Sequence, residues 1–316
     1  MKLSEAIATY AGHKRSLGMK FITEGFVLRA FCAALGDVAM NQVRAGPVEA
    51  FLGGSDRSLV TATWTKKYSV INGFYRFALA RNHTRSSPLP ARTPKLTEPA
   101  FIPYIYSQPE LKRMLDAVPA ACGSDRVAVP AGTFRTLLLL LYGAGLRLGE
   151  ALSLTVADVD LDQAILCVRG TKFYKTRLVP LCADLTFALA QHVGAHCTGQ
   201  PDAPFLRLRN GKRVSQPAAR SAFRRVRILA GLARSGGVRH QPRLHDLRHT
   251  AAVHRLIAWY RNGENLQFML PRLATFLGHV NLAGTQRYLT LTPELLNEAS
   301  TRFGRYALGT AIGDQS

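Results

Sequence analysis

The chain holds 316 residues, 47% of them hydrophobic, with 41 Lys and Arg against 20 Asp and Glu, a net charge of +21 and a pI of about 10.4. That length suffices for two domains with their own cores, and the charge, divided as +8 over residues 1–100 and +13 over the rest, points to a polyanionic partner, nucleic acid foremost, rather than to a basic protein merely kept soluble. Five cysteines without a C-x-x-C pair speak against a disulfide scaffold and a cysteine zinc site; with residues 1–20 charged throughout and the longest apolar run, Leu137 to Tyr142, too short for a bilayer, a cytoplasmic protein with no membrane partner is expected.

Residues 3–82 read as about four helices. Ser4 is placed to cap a first helix through Arg15, and Thr23 a second with Phe26, Val27, Ala30, Phe31 and Ala34 at helical spacing before Gly36. Pro47 starts a short third helix. The fourth carries an apolar stripe of Trp64, Tyr68, Ile71, Phe74, Tyr75 and Phe77, with Lys66, Lys67, Arg76 and Arg81 on its other side.

Five prolines between Ser86 and Pro103, with Arg92 and Lys95 among them, predict a semi-rigid basic linker able to track a phosphate backbone. Ser107 then caps a helix through Ala117, and Thr133–Gly143 forms the next. Ala164–Val168 and Arg177–Val179 read as a strand pair joined through Gly170 and Lys172. Helices follow at about 183–196, 215–232, 245–260, 265–277 and 293–305.

Four segments carry residues suited to phosphodiester chemistry. In GAGLRLGEAL, glycines let the backbone turn around Arg147, and Glu150, three residues on, can orient the guanidinium so that its fork grips phosphate oxygens. Alone, Arg147 reads equally well as a surface residue. Lys172, in RGTKFYKTRLVPL, projects from a hairpin turn where an ammonium can protonate a leaving oxygen, as an arginine cannot. Its neighbours Lys175 and Arg177 leave a solvated hairpin tip as the alternative.

In LHDLRHT, His245 and Arg248 lie three apart, on one face of a helix beginning after Pro242. His249, four residues after His245, opens a zinc reading with His240 and His254, against which Asp246 stands where zinc proteases carry Glu; a core or capping histidine is the further alternative. In LGHVNLAGTQRYL, Tyr288 follows His279 by nine positions. Its phenol, with a pKa near 10, attacks phosphorus only where a base or nearby cations assist; by itself it reads as a packed aromatic. An in-line displacement supported by positioning and charge would need no metal.

Taken as a set, GAGLRLGEALSL, GTKFYKTRLVPL, LHDLRHT and LGHVNLAGTQRYL resemble the tyrosine recombinase, or phage integrase, family across essentially the whole catalytic half. The helical N-terminal region is similar in arrangement to that family's core-binding domain. The resemblance implies that Arg147 and Arg248 clamp the phosphate, Glu150 supports the first arginine, Lys172 is the general acid toward the leaving 5′ oxygen and His245 accepts the tyrosine proton. It further implies that His279 hydrogen-bonds the phosphate and that Tyr288 forms a 3′-phosphotyrosyl bond, with no metal and no cofactor.

The same resemblance implies a site-specific DNA recombinase that integrates or excises a mobile element. It would act on double-stranded DNA as a homo-oligomer, a tetramer on paired sites exchanging strands through a Holliday junction, with related recombinases as further partners. The segment at 293–305, with Leu295, Leu296 and Phe303, would pack on a neighbouring protomer or on its own core. The expected fold is mainly α with a small antiparallel β-sheet in the catalytic domain, two domains forming a DNA clamp: 1–85 helical and DNA-binding, 86–103 linker, 104–316 catalytic. Further DNA contacts are expected from Lys66, Lys67, Arg76, Arg92, Lys95, Lys175 and Arg177. A DNA-relaxing enzyme like the type IB topoisomerases and a non-catalytic DNA-binding protein stand as alternatives.

Overall fold

The computed structural model describes residues 1–53, 61–90, 102–170, 176–196, 199–235, 237, 240–279, 281–290 and 300. Lys172, Lys175, Arg92, Lys95 and nearly all of the expected helix at 293–305 lie outside the described residues. The chain separates into two compact units, Met1–Phe101 and Ile102–Ser316.

The first unit contains α1 (Leu3–Ser16), α2 (Ile22–Leu35), α3 (Ala45–Gly53) and α4 (Ala62–Ala80). Ser4 and Thr23 are not their caps. Ser4 lies inside α1, where its backbone and side chain both donate to Asp37 at 2.9 Å, and α2 begins after Phe21, which takes the left-handed φ of 45°. On α2 the buried positions are Gly25, Leu28 and Phe31; Phe26 is 67% exposed, so the inward face is rotated from the one expected. The α4 stripe does form the core, with Ile71, Phe74, Tyr75 and Ala78 buried against Leu3, Ile7, Tyr10, Leu28 and Phe31. Thr61 caps α4 by accepting from the Trp64 amide.

The second unit begins with α5 (Gln108–Asp116), where Ser107 and Glu110 form a reciprocal capping box. It continues through α6 (Val118–Cys122), α7 (Ala131–Gly143), α8 (Leu148–Ser153), a three-stranded sheet, α9 (Ala183–His196), α10 (Gln216–Leu229), α11 (Leu244–Arg261), α12 (Leu266–Leu277) and α13 (Ala283–Thr290). The sheet is antiparallel in the order β1 (Val159–Asp160), β2 (Ile165–Val168), β3 (Arg177–Pro180), and Val168 pairs with Arg177 at the end of the hairpin where the chain connects the two strands.

Helix α7 is the hub: Phe134, Leu137, Leu138, Leu140 and Leu141 are buried, and it packs against α6, α8, α9 and α11. A second cluster joins α11, α12 and α13 through Val253, Leu256, Leu270, Leu273, Leu277 and Tyr288. Tyr106 ties the start of the unit to α11, its amide donating to Thr250 Oγ1 and its hydroxyl to the Arg243 carbonyl, each at 3.0 Å. No helix among the described residues is long and apolar enough to cross a membrane.

Candidate active site

Glu150 is the centre of charge. It occupies the third position of α8, where one carboxylate oxygen accepts the Arg147 amide at 2.9 Å and so satisfies a donor that the helix start leaves open. Its side chain also takes Arg147 Nη1 at 2.7 Å and both terminal nitrogens of Arg177, at 3.0 and 2.8 Å. Arg248 Nη1 lies 3.9 Å away. Burial opposes ionisation of this carboxyl, but the hydrogen bonds from Arg177 and Arg147 and their charges outweigh it and hold the pKa down at about 2.

The C-terminus of α12 gathers the same three arginines. Gly278 ends the helix in a left-handed conformation, with its own amide and that of His279 returning to the carbonyls of Thr275 and Ala274. The next three carbonyls each receive one guanidinium: Phe276 from Arg177 Nε at 3.2 Å, Leu277 from Arg248 Nη2, and Gly278 from Arg147 Nη2 at 2.9 Å. Arg248 Nη1 donates to the Gly145 carbonyl. Three cations thus meet the negative end of a helix dipole and fix the turn that leads into His279.

Two glycines make this approach possible. Gly145 has a φ of 59°, and a Cβ there would lie 2.9 Å from Leu277 Cδ2. At Gly278, with φ 67°, a Cβ would meet Arg177 Nη1 at 2.8 Å.

Among the described residues Arg248 is the largest fully buried side chain. Burial and then the neighbouring Arg147 charge lower its pKa to about 10, which still leaves it a cation at neutral pH. Arg147 is one-third exposed and offers the more open guanidinium. Beside them, His279 Nδ1 lies 2.7 Å from Thr285 Oγ1, and its ring stacks at 25° and 6.1 Å on that of Tyr288. Burial, followed by the charges of Arg248, Arg147 and Arg177, lowers the His279 pKa to about 4. At neutral pH this histidine is therefore an uncharged hydrogen-bonding group.

Tyr288 is buried to 4% exposure, its ring among the α11 and α12 side chains. Its hydroxyl lies 3.1 Å from His249 Nδ1. His245, one turn earlier on α11, sets its ring edge-on to that of His249 at 4.7 Å. His245 is exposed, yet desolvation by the surrounding protein and then the charges of Arg248 and Arg243 lower its pKa.

The structure therefore brings Arg147, Glu150, His245, Arg248, His279 and Tyr288 into one neighbourhood at the meeting of α8, α11, α12 and α13. Three participants were not read from the sequence in their observed roles. Arg177, expected on DNA, is turned inward onto Glu150 with its side chain only 11% exposed, because its charge is spent on a buried carboxylate. Thr285 anchors His279, and His249 meets the tyrosine. The i,i+4 spacing of His245 and His249 was the available signal for the last, although it suggested zinc; among the described residues no group of three or more His, Cys, Asp or Glu is placed to hold a metal ion.

In the first unit Lys66 and Arg76 are exposed, as a DNA contact requires. Lys67 is bent back onto its own fold, with Nζ 2.7 Å from the Phe51 carbonyl and over that residue's ring. Its cation is committed to joining α4 with α3.

Residues 107–294 match the phage integrase family. Two proteins of Sinorhizobium fredii whose names read integrase/recombinase are similar to this chain: y4rE at 34% identity over 95% of each chain, and y4rB at 38% identity over 77% of this chain and 78% of its own. Tyrosine recombinase XerC of Bacillus subtilis is 30% identical over 76% of this chain and 74% of its own. Among solved structures, the Tn1549 transposon integrase in complex with transposon right end DNA superposes with a TM-score of 0.69 at 16% identity, covering 97% of this chain and 100% of that one. A lambda integrase dimer bound to a core site gives 0.66 at 18% identity, covering 89% and 96%.

Proposed function

The chain belongs to the phage integrase family and is a site-specific DNA recombinase, and from that premise we propose that it cuts and rejoins strands through a covalent bond between Tyr288 and a DNA 3′ phosphate. The observation that carries this reading is the Tyr288 hydroxyl itself: sheltered from solvent and hydrogen-bonded to an imidazole of α11, the helix that also carries the buried Arg248.

In this reading Arg147 and Arg248 hold the two non-bridging oxygens of the scissile phosphate and stabilise the charge that grows there in the transition state. Glu150 and Arg177 fix the two clamps. Neutral His279 donates a hydrogen bond to the phosphate, Lys172 protonates the departing 5′ oxygen, and His245 borders the site. The tyrosine oxygen attacks in line, and the retained phosphodiester energy lets a second strand's 5′ hydroxyl reseal the break. No step passes through a metal or a cofactor.

We further assign residues 1–85 to a helical DNA-binding domain, 86–103 to a linker and 104–316 to the catalytic domain, both domains contacting one duplex. The assembly proposed is a tetramer on two paired sites. The related lambda integrase has been seen as a dimer on a core site and as a tetramer on a Holliday junction.

A pool of nicked duplexes with randomised sequence, incubated with the full chain in EDTA, tests the chemistry. The wild-type chain should become covalently joined to a subset of duplexes, and Tyr288→Phe to none. An adduct that survives Tyr288→Phe removes this tyrosine from the mechanism.

A further inference from the structure

The clamp, the acid and the nucleophile leave one contact without a role: that between Tyr288 Oη and His249 Nδ1, at 3.1 Å. Two features make it more than a packing accident. His249 lies on α11 directly after Arg248, so a helix anchored at its start by Asp246, which takes the Arg243 amide at 2.8 Å, carries both a phosphate clamp and the tyrosine's neighbour. A group on a rigid helix is placed more accurately than one on a loop. The tyrosine ring also stacks on His279, itself fastened by Thr285, which is fully buried. The tyrosine ring thus neighbours two imidazoles, and its hydroxyl lies within hydrogen-bond distance of His249 Nδ1.

The chemistry of the contact has a direction. In the neutral tautomer that carries its proton on Nε2, His249 Nδ1 is an acceptor, and it is to this form that the tyrosine O–H donates. His245, edge-on to His249 at 4.7 Å, belongs to the same helical face but stands one turn nearer the start of α11.

We propose that His249 is a catalytic residue of the strand-cleavage step: it accepts the Tyr288 proton as the tyrosine oxygen attacks phosphorus. In that step the Oη–H bond breaks and the proton passes to His249 Nδ1. The oxygen's electron pair forms the O–P bond, the bond from phosphorus to the 5′ oxygen breaks, and the departing oxygen takes a proton from Lys172. On resealing, the imidazolium returns its proton to Tyr288. The proposal rests on the tyrosine chemistry argued above and moves the base from His245 to His249.

The test uses the full chain and a duplex that the wild-type protein captures covalently from the randomised pool. That duplex is prepared in two forms, with oxygen or with sulfur at the 5′ bridging position of the scissile phosphate. A thiolate leaves without protonation, so sulfur bypasses a missing acid but not a missing base. His249→Ala should slow single-turnover adduct formation about 100-fold or more on both forms, in the range of a lost general base. Lys172→Ala should be slow on the oxygen form alone. His249→Asn keeps an acceptor near the Nδ1 position but cannot take a proton, and should be as slow as His249→Ala. Retained binding of the duplex by each variant in a gel-shift assay separates loss of chemistry from loss of fold.

Cleavage by His249→Ala within threefold of wild type overturns the proposal. So does rescue of His249→Ala by sulfur, which would place the histidine on the leaving group, and so does a fast His249→Asn, which would reduce its role to a hydrogen bond. Adduct formation by Tyr288→Phe, read in a separate variant, sinks the tyrosine chemistry and this proposal with it.

Discussion

Arg177 grips Glu150 with both terminal nitrogens of its guanidinium, at 3.0 and 2.8 Å, across 27 residues of sequence. This pair fastens the first residue of β3 to the third position of α8, and Glu150 in turn orients Arg147. Breaking a buried ion pair from one side leaves an uncompensated charge. Arg177→Ala should therefore cost roughly 2–4 kcal/mol in a urea unfolding experiment, the lower part of the range because Arg147 still serves Glu150. Arg177→Lys, a point charge without the fork, should recover little of it. A stability unchanged by either substitution would show that the pair carries no structural weight.

The Glu150 carboxyl makes stability depend on acid. Its pKa is about 2 in the folded chain against an ordinary value of 4.5, so the folded state favours the ionised form. The stabilisation is complete above pH 4.5 and is lost as pH falls through 2. A shift of that size corresponds to about 3 kcal/mol across the window. Glu150→Gln should flatten the dependence of unfolding free energy between pH 4.5 and 2, measured against wild type in the same buffers. A slope that persists in the variant would assign the window to other carboxylates.

His279 is held neutral by burial and three guanidiniums, with a pKa of about 4. Since the unfolded histidine binds a proton near 6.5, the folded chain loses stability from this group as pH falls from 6.5 to 4, and none above 6.5. Its proton NMR titration should show a midpoint near 4. Thr285→Val removes the partner 2.7 Å from Nδ1 and should lower the single-turnover cleavage rate about tenfold while leaving duplex binding intact. An unchanged rate would mean that the ring needs no anchor.

Gly278 combines a φ of 67° with a gap that Arg177 fills, so Gly278→Ala carries both backbone strain and a clash. The left-handed conformation alone costs about 1–2 kcal/mol for an alanine. Thermal unfolding should show the loss. Cleavage should fall further than stability does, because the shifted turn carries His279 and α13. Equal behaviour of Gly278→Ala and Gly263→Ala, a glycine with positive φ but open space around it, would contradict the steric part of the argument.

On the first unit, exposure separates two adjacent lysines. Lys66→Ala and Arg76→Ala should each reduce the slope of log binding constant against log salt by about one, with the fold unchanged. Lys67→Ala should instead lower thermal stability, since its ammonium bridges α4 to the Phe51 carbonyl. A salt slope unaffected by Lys66 and Arg76 would place the duplex on another face.

Much of this architecture was legible because local chemistry declared it. Ser107, Pro109 and Glu110 announced a helix start, and the stripe from Tyr68 to Tyr75 announced a buried helix face. The four candidate segments stood out together, each with its own residue type and spacing, and the structure brings Arg147, Glu150, His245, Arg248, His279 and Tyr288 into one neighbourhood, while Lys172 lies outside the described residues. What escaped reading depends on tertiary distance. Nothing local says that Arg177 turns inward, since a basic residue at a hairpin end is ordinarily solvated and its partner lies on another element. Phe26 looked like core because helical spacing does not say which of two apolar faces finds a partner. His249 meets Tyr288 across 39 residues, and α13 is too short for periodicity to reveal.

The three carbonyls that end α12 have a thermodynamic consequence. Arg147 and Arg248 are bound at once to the turn that carries the nucleophile and, in the function proposed, to the phosphate it attacks. Any free energy with which a phosphate draws on those guanidiniums is felt, equally and in reverse, by the turn. Arrival of the substrate and seating of the tyrosine are then two readings of one equilibrium, and a wrongly placed phosphate weakens its own attacker.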